Sequence, residues 1–218
     1  GSVQYVRRLE KKMKDNGVDI RLKATVTSVQ RSRGKVTITC QGGLPETYEQ
    51  VIFATHSDDT LNLLSDANCQ ENKLLGAVRY QPNEVLLHAD SSVMPKNKQC
   101  WSSWVYTEDK NKASNKIDLT YWMNSLQPIP KDDPLFVTLN STRNIREDFI
   151  FDQTTMRHPV YDLKALAAQK TLAMQNGENQ TWFCGAWMKN GFHEDGLSSA
   201  LDVAQKIEAK SAYVVAAE

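Results

Sequence analysis

Val3, Val6, Leu9 and Met13 recur at helical spacing, with Arg7, Arg8, Lys11 and Lys12 on the other face. The spacing predicts an amphipathic helix, and Asn16-Gly17 supplies its stop. Alternation then takes over. Residues 18–22, 25–29 and 35–40 alternate apolar and polar positions, the pattern of half-buried strands, with a tight turn at Arg33-Gly34. Residues 48–54 end in a continuous apolar run, which predicts a strand covered on both faces. Thr55-His56-Ser57-Asp58 suits a helix start, with helices expected through Thr60, Leu61 and Leu64 and near Leu74, Leu75 and Val78. From residue 84 to 151 the character changes. Strand-like pieces at 84–89, 101–106, 116–123 and 135–140, separated by polar loops at 108–115 and 127–134, predict an antiparallel meander. After Tyr161, Asp162 caps a helix carrying Leu163, Leu166, Ala167 and Leu172, ended by Asn176-Gly177. Residues 181–187 read as a buried strand ending in small residues. The loop 188–195 leads into a helix with Leu197, Leu201, Ala204 and Ile207 at helical spacing, and residues 211–218 read as a flexible tail.

Composition narrows the function classes. The chain has 218 residues, with 26 Lys+Arg against 26 Asp+Glu, a balance that argues against nucleic acid as a partner. An apolar fraction of 40% supports a real core. No stretch approaches the roughly 18 apolar residues of a membrane span, and no charged-then-apolar leader opens the chain. The cysteines (Cys40, Cys69, Cys100, Cys184) are widely separated, so neither zinc-finger spacing nor a disulfide framework is present, and a cytoplasmic location is the expectation. Trp101, Trp104, Trp182 and Trp187 read as core aromatics, and Cys184 as a small buried hydrophobe.

Candidate chemistry is sparse. No Gly-x-Gly occurs, which removes the dinucleotide fingerprint, and no Gly-Lys-Ser/Thr occurs to make a phosphate-cradling P-loop. His193-Glu194 has no second histidine at helical spacing, so no metal site is assigned. His56, His88 and His158 are isolated and read as structural. His56-Ser57-Asp58 has triad composition, but neighbours in sequence do not converge on one point. The informative segment is 191–197, Gly-Phe-His-Glu-Asp-Gly-Leu, where glycines bracket a polar turn that opens into an amphipathic helix. The first N–H groups of a helix lack internal partners and lie at the positive end of its dipole. Two readings stay open: a terminus that stabilises an anion or a polarised carbonyl, with Gly196 admitting a bulky ligand, or a plain capped helix with Asp195 as N-cap.

The order of segments resembles a known family. Residues 20–29, 36–39 and 51–58 look like the second half of FAD-dependent amine-oxidase-like oxidoreductases. Ala54-Thr55-His56-Ser57-Asp58, Thr120-Tyr121-Trp122-Met123-Asn124, His158-Pro159-Val160, Trp182-Phe183-Cys184-Gly185-Ala186 and the 191–197 segment resemble a bacterial-type branch of NAD/FAD-binding proteins associated with cyclopropane fatty-acid synthases. The resemblance runs from Tyr5 to Ile207 and is similar to the C-terminal half of a full member, without the glycine fingerprint with which members begin.

It implies a mixed α/β fold: a partial FAD/NAD(P)-binding domain over 3–80 and 155–210, interrupted by an antiparallel substrate domain over 81–154. It implies FAD as cofactor, with Val26 beside the adenine end, Ala54 and Thr55 at a strand end beside the cofactor, and Gly185, Ala186, Gly196 and Leu197 at the flavin. Trp104, Tyr121 and Trp122 would wall the substrate. The implied activity is oxidation of an amine or lipid-linked substrate by hydride transfer to FAD, and no catalytic residue is assigned. The missing glycine motif motivates the opposing expectation, a non-catalytic binding module without cofactor that self-associates as a homodimer. On either expectation, an N-terminal flavin-binding half or a cyclopropane synthase is a further expected partner of the chain.

Overall fold

The computed structural model describes residues 2–108 and 117–217, with side chains through residue 210. In chain order the elements are α1 (Ser2–Asp15), β1 (Val26–Ser32), β2 (Lys35–Cys40), β3 (Glu46–Tyr48), β4 (Val51–Phe53), α2 (Ser57–Leu63) and α3 (Cys69–Leu75). Then come β5 (Arg79–His88), β6 (Trp104–Thr107), β7 (Asp118–Trp122), α4 (Met123–Leu126), β8 (Phe136–Leu139) and β9 (Ile150–Val160). The chain ends with α5 (Leu163–Gln175), β10 (Thr181–Phe183) and α6 (His193–Ala217). The fold is mixed α/β and divides into two compact units, residues 21–80 with 159–218, and residues 1–20 with 81–158.

The first of these units carries two small sheets. β1, β2 and β3 form an antiparallel sheet, while β4 and β10 pair in parallel, Val51 opposite Thr181 and Phe53 opposite Phe183. Their inward residues, among them Val29, Val36, Phe53 and Phe183, share one core with Leu75 of α3 and with Ala165 and Leu172 of α5. α5 starts as expected, the Asp162 carboxylate accepting the Ala165 N–H at 2.9 Å. α3 has a capping box: Asn68 accepts from the Glu71 N–H, and Glu71 accepts from the Asn68 N–H. The second unit holds one sheet in the order β6-β7-β8-β5-β9. Its polar-looking face is buried, with Phe136, Leu86, Thr120, Thr138 and His88 all below one tenth exposed.

Several expectations are corrected. The strand expected over residues 18–22 is irregular backbone, and Leu22 is 80% exposed: its alternation meets no partner strand among the described residues. The single strand expected over residues 48–54 is split. β3 pairs with β2, β4 pairs with β10, and Ile52 is half exposed rather than covered on both faces. β9 lies over residues the periodicity left unassigned, because its side chains are almost all exposed and carry no apolar alternation. The sheet is also not a simple meander, since β5 sits between β8 and β9. Over residues expected to form a tail, the backbone continues as helix to Ala217. Most of the polar loop expected at 108–115 lies outside the described residues. Trp182 and Trp187 are buried as expected, whereas Trp104 is half exposed. Among the described residues no helix is long and apolar enough to cross a membrane.

Candidate functional site

Parallel strands present their carboxyl ends on the same side, which is where open α/β sheets bind ligands. β4 leads there into Ala54-Thr55, and β10 into Cys184-Gly185-Ala186. The Cys184 N–H extends the ladder by donating to the Phe53 carbonyl at 2.9 Å. Beyond it the two strand ends are tied by a side chain, the Trp187 indole N–H donating to the Thr55 carbonyl at 2.9 Å. The Thr55 hydroxyl lies 2.7 Å from that of Thr60 in α2.

The amino end of α6 joins the same place. The Gly185 N–H donates to the Ser199 hydroxyl at 2.9 Å, and that hydroxyl donates to the Gly196 carbonyl at 2.8 Å. Gly196 faces Ala186: an added Cβ would stand 3.7 Å from the Ala186 nitrogen, in ordinary van der Waals contact. Ala54, Thr55, Gly185, Ala186, Gly196 and Leu197 are thus brought to one neighbourhood. Val26 begins β1, in the antiparallel sheet, and contacts the same core.

The α6 terminus is more specific than a bare helix end. Asp195, expected as N-cap, is the third helical residue: its carboxylate accepts the Phe192 N–H at 2.9 Å, one half of a capping box. With Glu194 it puts two carboxylates in the first turn. Part of the dipole field is therefore already offset, which favours a polarised carbonyl over a phosphate at this end.

Residues that sequence reasoning did not single out complete the site. Gln169, buried on α5, donates to the carbonyls of Trp187 and Lys189 at 2.7 and 2.8 Å and so holds the turn leading to Gly191. The Tyr161 hydroxyl is buried with no hydrogen-bond partner. It lies against Gly191, whose missing Cβ would be 2.7 Å from the oxygen. Burial, with Tyr80 and Asp195 nearby, pushes its pKa up to about 12, so it stays protonated. Contacts spanning thirty residues leave no local signal.

Other chemistry-bearing groups have structural partners. Cys184 is buried, and burial pushes its thiol up, away from a reactive thiolate. The His56 ring stacks on Tyr80 at 4.3 Å, and the Tyr80 hydroxyl accepts the Ser57 N–H at 2.8 Å. Ligand atoms of His56, Asp58 and Asp59 come within 4.8 Å of one another, all partly exposed. His158 Nδ1 is 2.8 Å from the Asn83 amide.

In the other unit, register and alternation divide the substrate candidates. Trp104 lies opposite Tyr121, their rings 5.5 Å apart edge to face, and they share a sheet face with Tyr106, Leu119, Val137, Leu139, Val85 and Leu87. Trp122 projects to the opposite face, packed edge-on against Trp101 at 5.3 Å in the second core. The structure therefore groups Trp104 with Tyr121 and separates Trp122 from them.

Comparison with known proteins bears on the family and the fold. The profile of the flavin containing amine oxidoreductase family matches residues 1–134. No curated protein matches the chain. A solved structure of a CLA-producing fatty acid isomerase from P. acnes aligns with a TM-score of 0.60 at 14% identity, over 84% of this chain and 47% of that one. A putrescine oxidase redesigned in its cofactor binding aligns with a TM-score of 0.58 at 10% identity, over 90% of this chain and 51% of that one. The chain spans about half the length of the solved structures it matches. At such identities the alignments show the fold. The family profile covers well over half of the 218 residues, and on it the chain belongs to the flavin containing amine oxidoreductase family.

Proposed function

We propose that this chain is the C-terminal portion of a flavin-dependent oxidoreductase and contributes the flavin-facing wall of its cofactor site. The observation that carries the reading is the meeting of three backbone segments, Ala54-Thr55, Gly185-Ala186 and Gly196-Leu197, at the carboxyl ends of two parallel strands. The residues fit a flavin: Gly196 presents backbone without a side chain at the start of α6, and a buried hydroxyl at Tyr161 lacks an acceptor. When bound, FAD would supply the hydride-accepting chemistry. The chain's own residues would bind and orient it. The α6 terminus would stabilise charge on a ring carbonyl, Thr55 and Ala186 would flank it, and Trp187 would fix the spacing between the strand ends.

The substrate reading rests on the other unit. At the paired positions of β5 to β8 the sheet face of Trp104 and Tyr121 carries eight aromatic or aliphatic side chains. Burying a charge against it would be costly. That favours an apolar, lipid-linked substrate, as the fatty acid isomerase's name suggests for that protein, over a small diamine.

The test is the visible absorbance of the purified protein before and after incubation with FAD and desalting. A retained oxidised-flavin band is expected. A colourless protein after incubation refutes the reading for this chain and favours the cofactor-free module, for which half-exposed Ile52 on β4 is the supporting observation.

A further inference from the structure

The Tyr161 hydroxyl is an anomaly in a well-bonded unit. Nearby buried polar groups are satisfied: Thr60 bonds Thr55, the Ser57 N–H bonds Tyr80, Ser199 bonds Gly185, and Gln169 bonds two carbonyls. The Tyr161 hydroxyl has no such partner. A buried donor left unmade destabilises a fold, so such a group calls for an explanation. Its cover is also unusual. The oxygen is capped by the backbone of Gly191, at φ 94°, and any larger residue there would collide with it. Gly191 lies two residues before α6, in the turn held by Gln169.

We propose that Tyr161 is a positioning residue for the cofactor, its hydroxyl held in reserve as a hydrogen-bond donor to a flavin ring oxygen or nitrogen at the α6 terminus. This inference rests on the flavin reading above. Three features support it. The hydroxyl stays protonated through the physiological range, so it donates rather than repels. At Gly191 the hydroxyl is met by backbone alone, with no Cβ in the way. The ring itself is fixed, since Tyr161 directly precedes the Asp162 cap of α5.

The experiment compares the wild type with Tyr161→Phe by three readouts: thermal melting without FAD, FAD titration by flavin fluorescence, and the absorbance spectrum of the complex. Melting of the cofactor-free variant is expected to be unchanged or raised, because an unpaired hydroxyl is removed. FAD affinity should fall about tenfold, the loss of one hydrogen bond, with a shifted flavin band. Equal affinity and an identical spectrum in the two proteins overturn this inference and leave the flavin site standing. A lowered melting temperature without FAD also overturns it, since the hydroxyl then has a partner in the free protein. Absence of FAD binding by the wild type overturns both readings. Gly191→Ala supplies a second arm: its Cβ should weaken FAD binding, and adding Tyr161→Phe should recover melting temperature by removing the atom it strikes.

Discussion

Arg31 should be the most damaging polar residue to remove from the unit that carries the candidate cofactor site. It sits on β1, and its side chain is only 5% exposed. Its guanidinium bonds the Glu71 carboxylate through two nitrogens, Asp66 through Nε at 3.1 Å, and the Thr181 hydroxyl at 3.2 Å. One side chain thus joins β1, α3 and the first residue of β10. Burial alone would push the Glu71 carboxyl up, but hydrogen bonds from Arg31 and from the Asn68 N–H outweigh it and hold it below its ordinary value. Arg31→Met keeps much of the volume and leaves that carboxylate buried without its cation. Breaking a buried pair on one side costs about 3–5 kcal/mol. The lower end applies here, because Asp66 is about a quarter exposed and rehydrates. About 3 kcal/mol lowers the melting temperature by roughly 6–12 °C in a chain of this size.

Denaturant and thermal unfolding of Arg31→Met, Glu71→Gln and the double variant form a cycle. Gln preserves the acceptor for the Asn68 N–H, so the capping box survives. The double variant should be clearly more stable than the sum of the single losses, with a coupling above about 1 kcal/mol. The Glu71 contribution should be fully present above the ordinary carboxylate pKa and fade as pH falls through its lower folded value. Strict additivity, or an Arg31→Met loss below about 1 kcal/mol, would refute the argument that this network organises the unit.

Three further outcomes follow from the same structure. Gly177→Ala should destabilise by about 2 kcal/mol or more, because the residue sits at φ 96° and its Cβ would meet the buried Trp182 ring at 2.6 Å; a melting temperature within 1 °C of wild type would contradict it. Asp90 is fully buried; burial alone would raise its carboxyl, but N–H groups of Arg146 and Ser92 outweigh that and lower it to about 2. Its stabilisation, about 2 kcal/mol, should be complete above pH ~3.8 and lost as pH falls toward 2, and Asp90→Asn should flatten that part of the stability profile. His88 is held neutral by burial, with Nδ1 accepting the Asp90 N–H and Nε2 donating to Thr138. Its folded pKa lies below the unfolded one, so the unfolded chain takes up the proton first and stability falls as pH drops below ~6.5; an NMR titration in which folded His88 takes up its proton no later than the unfolded chain would rule this out.

What the sequence reveals divides by the range of the interaction. Local signals hold: Asp162 caps α5, Gly177 with its positive φ follows it, and β2 occupies residues 35–40 as read. Alternation in the second unit is legible because one sheet face is buried, so Phe136 and Thr138 point one way and Val137 and Leu139 the other. The same alternation at residues 18–22 misleads, since strand pattern records fitness for a sheet and not the presence of a neighbour. In the candidate site the small residues Gly185, Ala186 and Gly196 are readable from the chain. Tyr161, Gln169 and Ser199 are not, because each acts on a segment 14 to 30 positions away.

The parallel pairing itself shows why such contacts decide the site. β4 and β10 share three residue pairs, too few for ladder hydrogen bonds at about 0.5–1.5 kcal/mol each to hold two strands in register. Register comes instead from side chains placed around the ladder. The Trp182 indole donates to Gln50 at 2.5 Å at the entrance, and the Trp187 indole donates to the Thr55 carbonyl at the exit. Asn176 closes the outer edge of β10, accepting the Phe183 N–H at 2.7 Å and donating to the Phe183 carbonyl at 3.0 Å. A side-chain amide thereby replaces a neighbouring strand. Phe53 and Phe183 stack beneath, their ring centres 6.0 Å apart. Slipping the pairing by one residue would break both indole bonds and turn Phe183 out of the core. The strand ends that carry Ala54-Thr55 and Gly185-Ala186 are thus held at a fixed separation by two tryptophans and an asparagine, none of which needs to touch a cofactor to determine whether one fits.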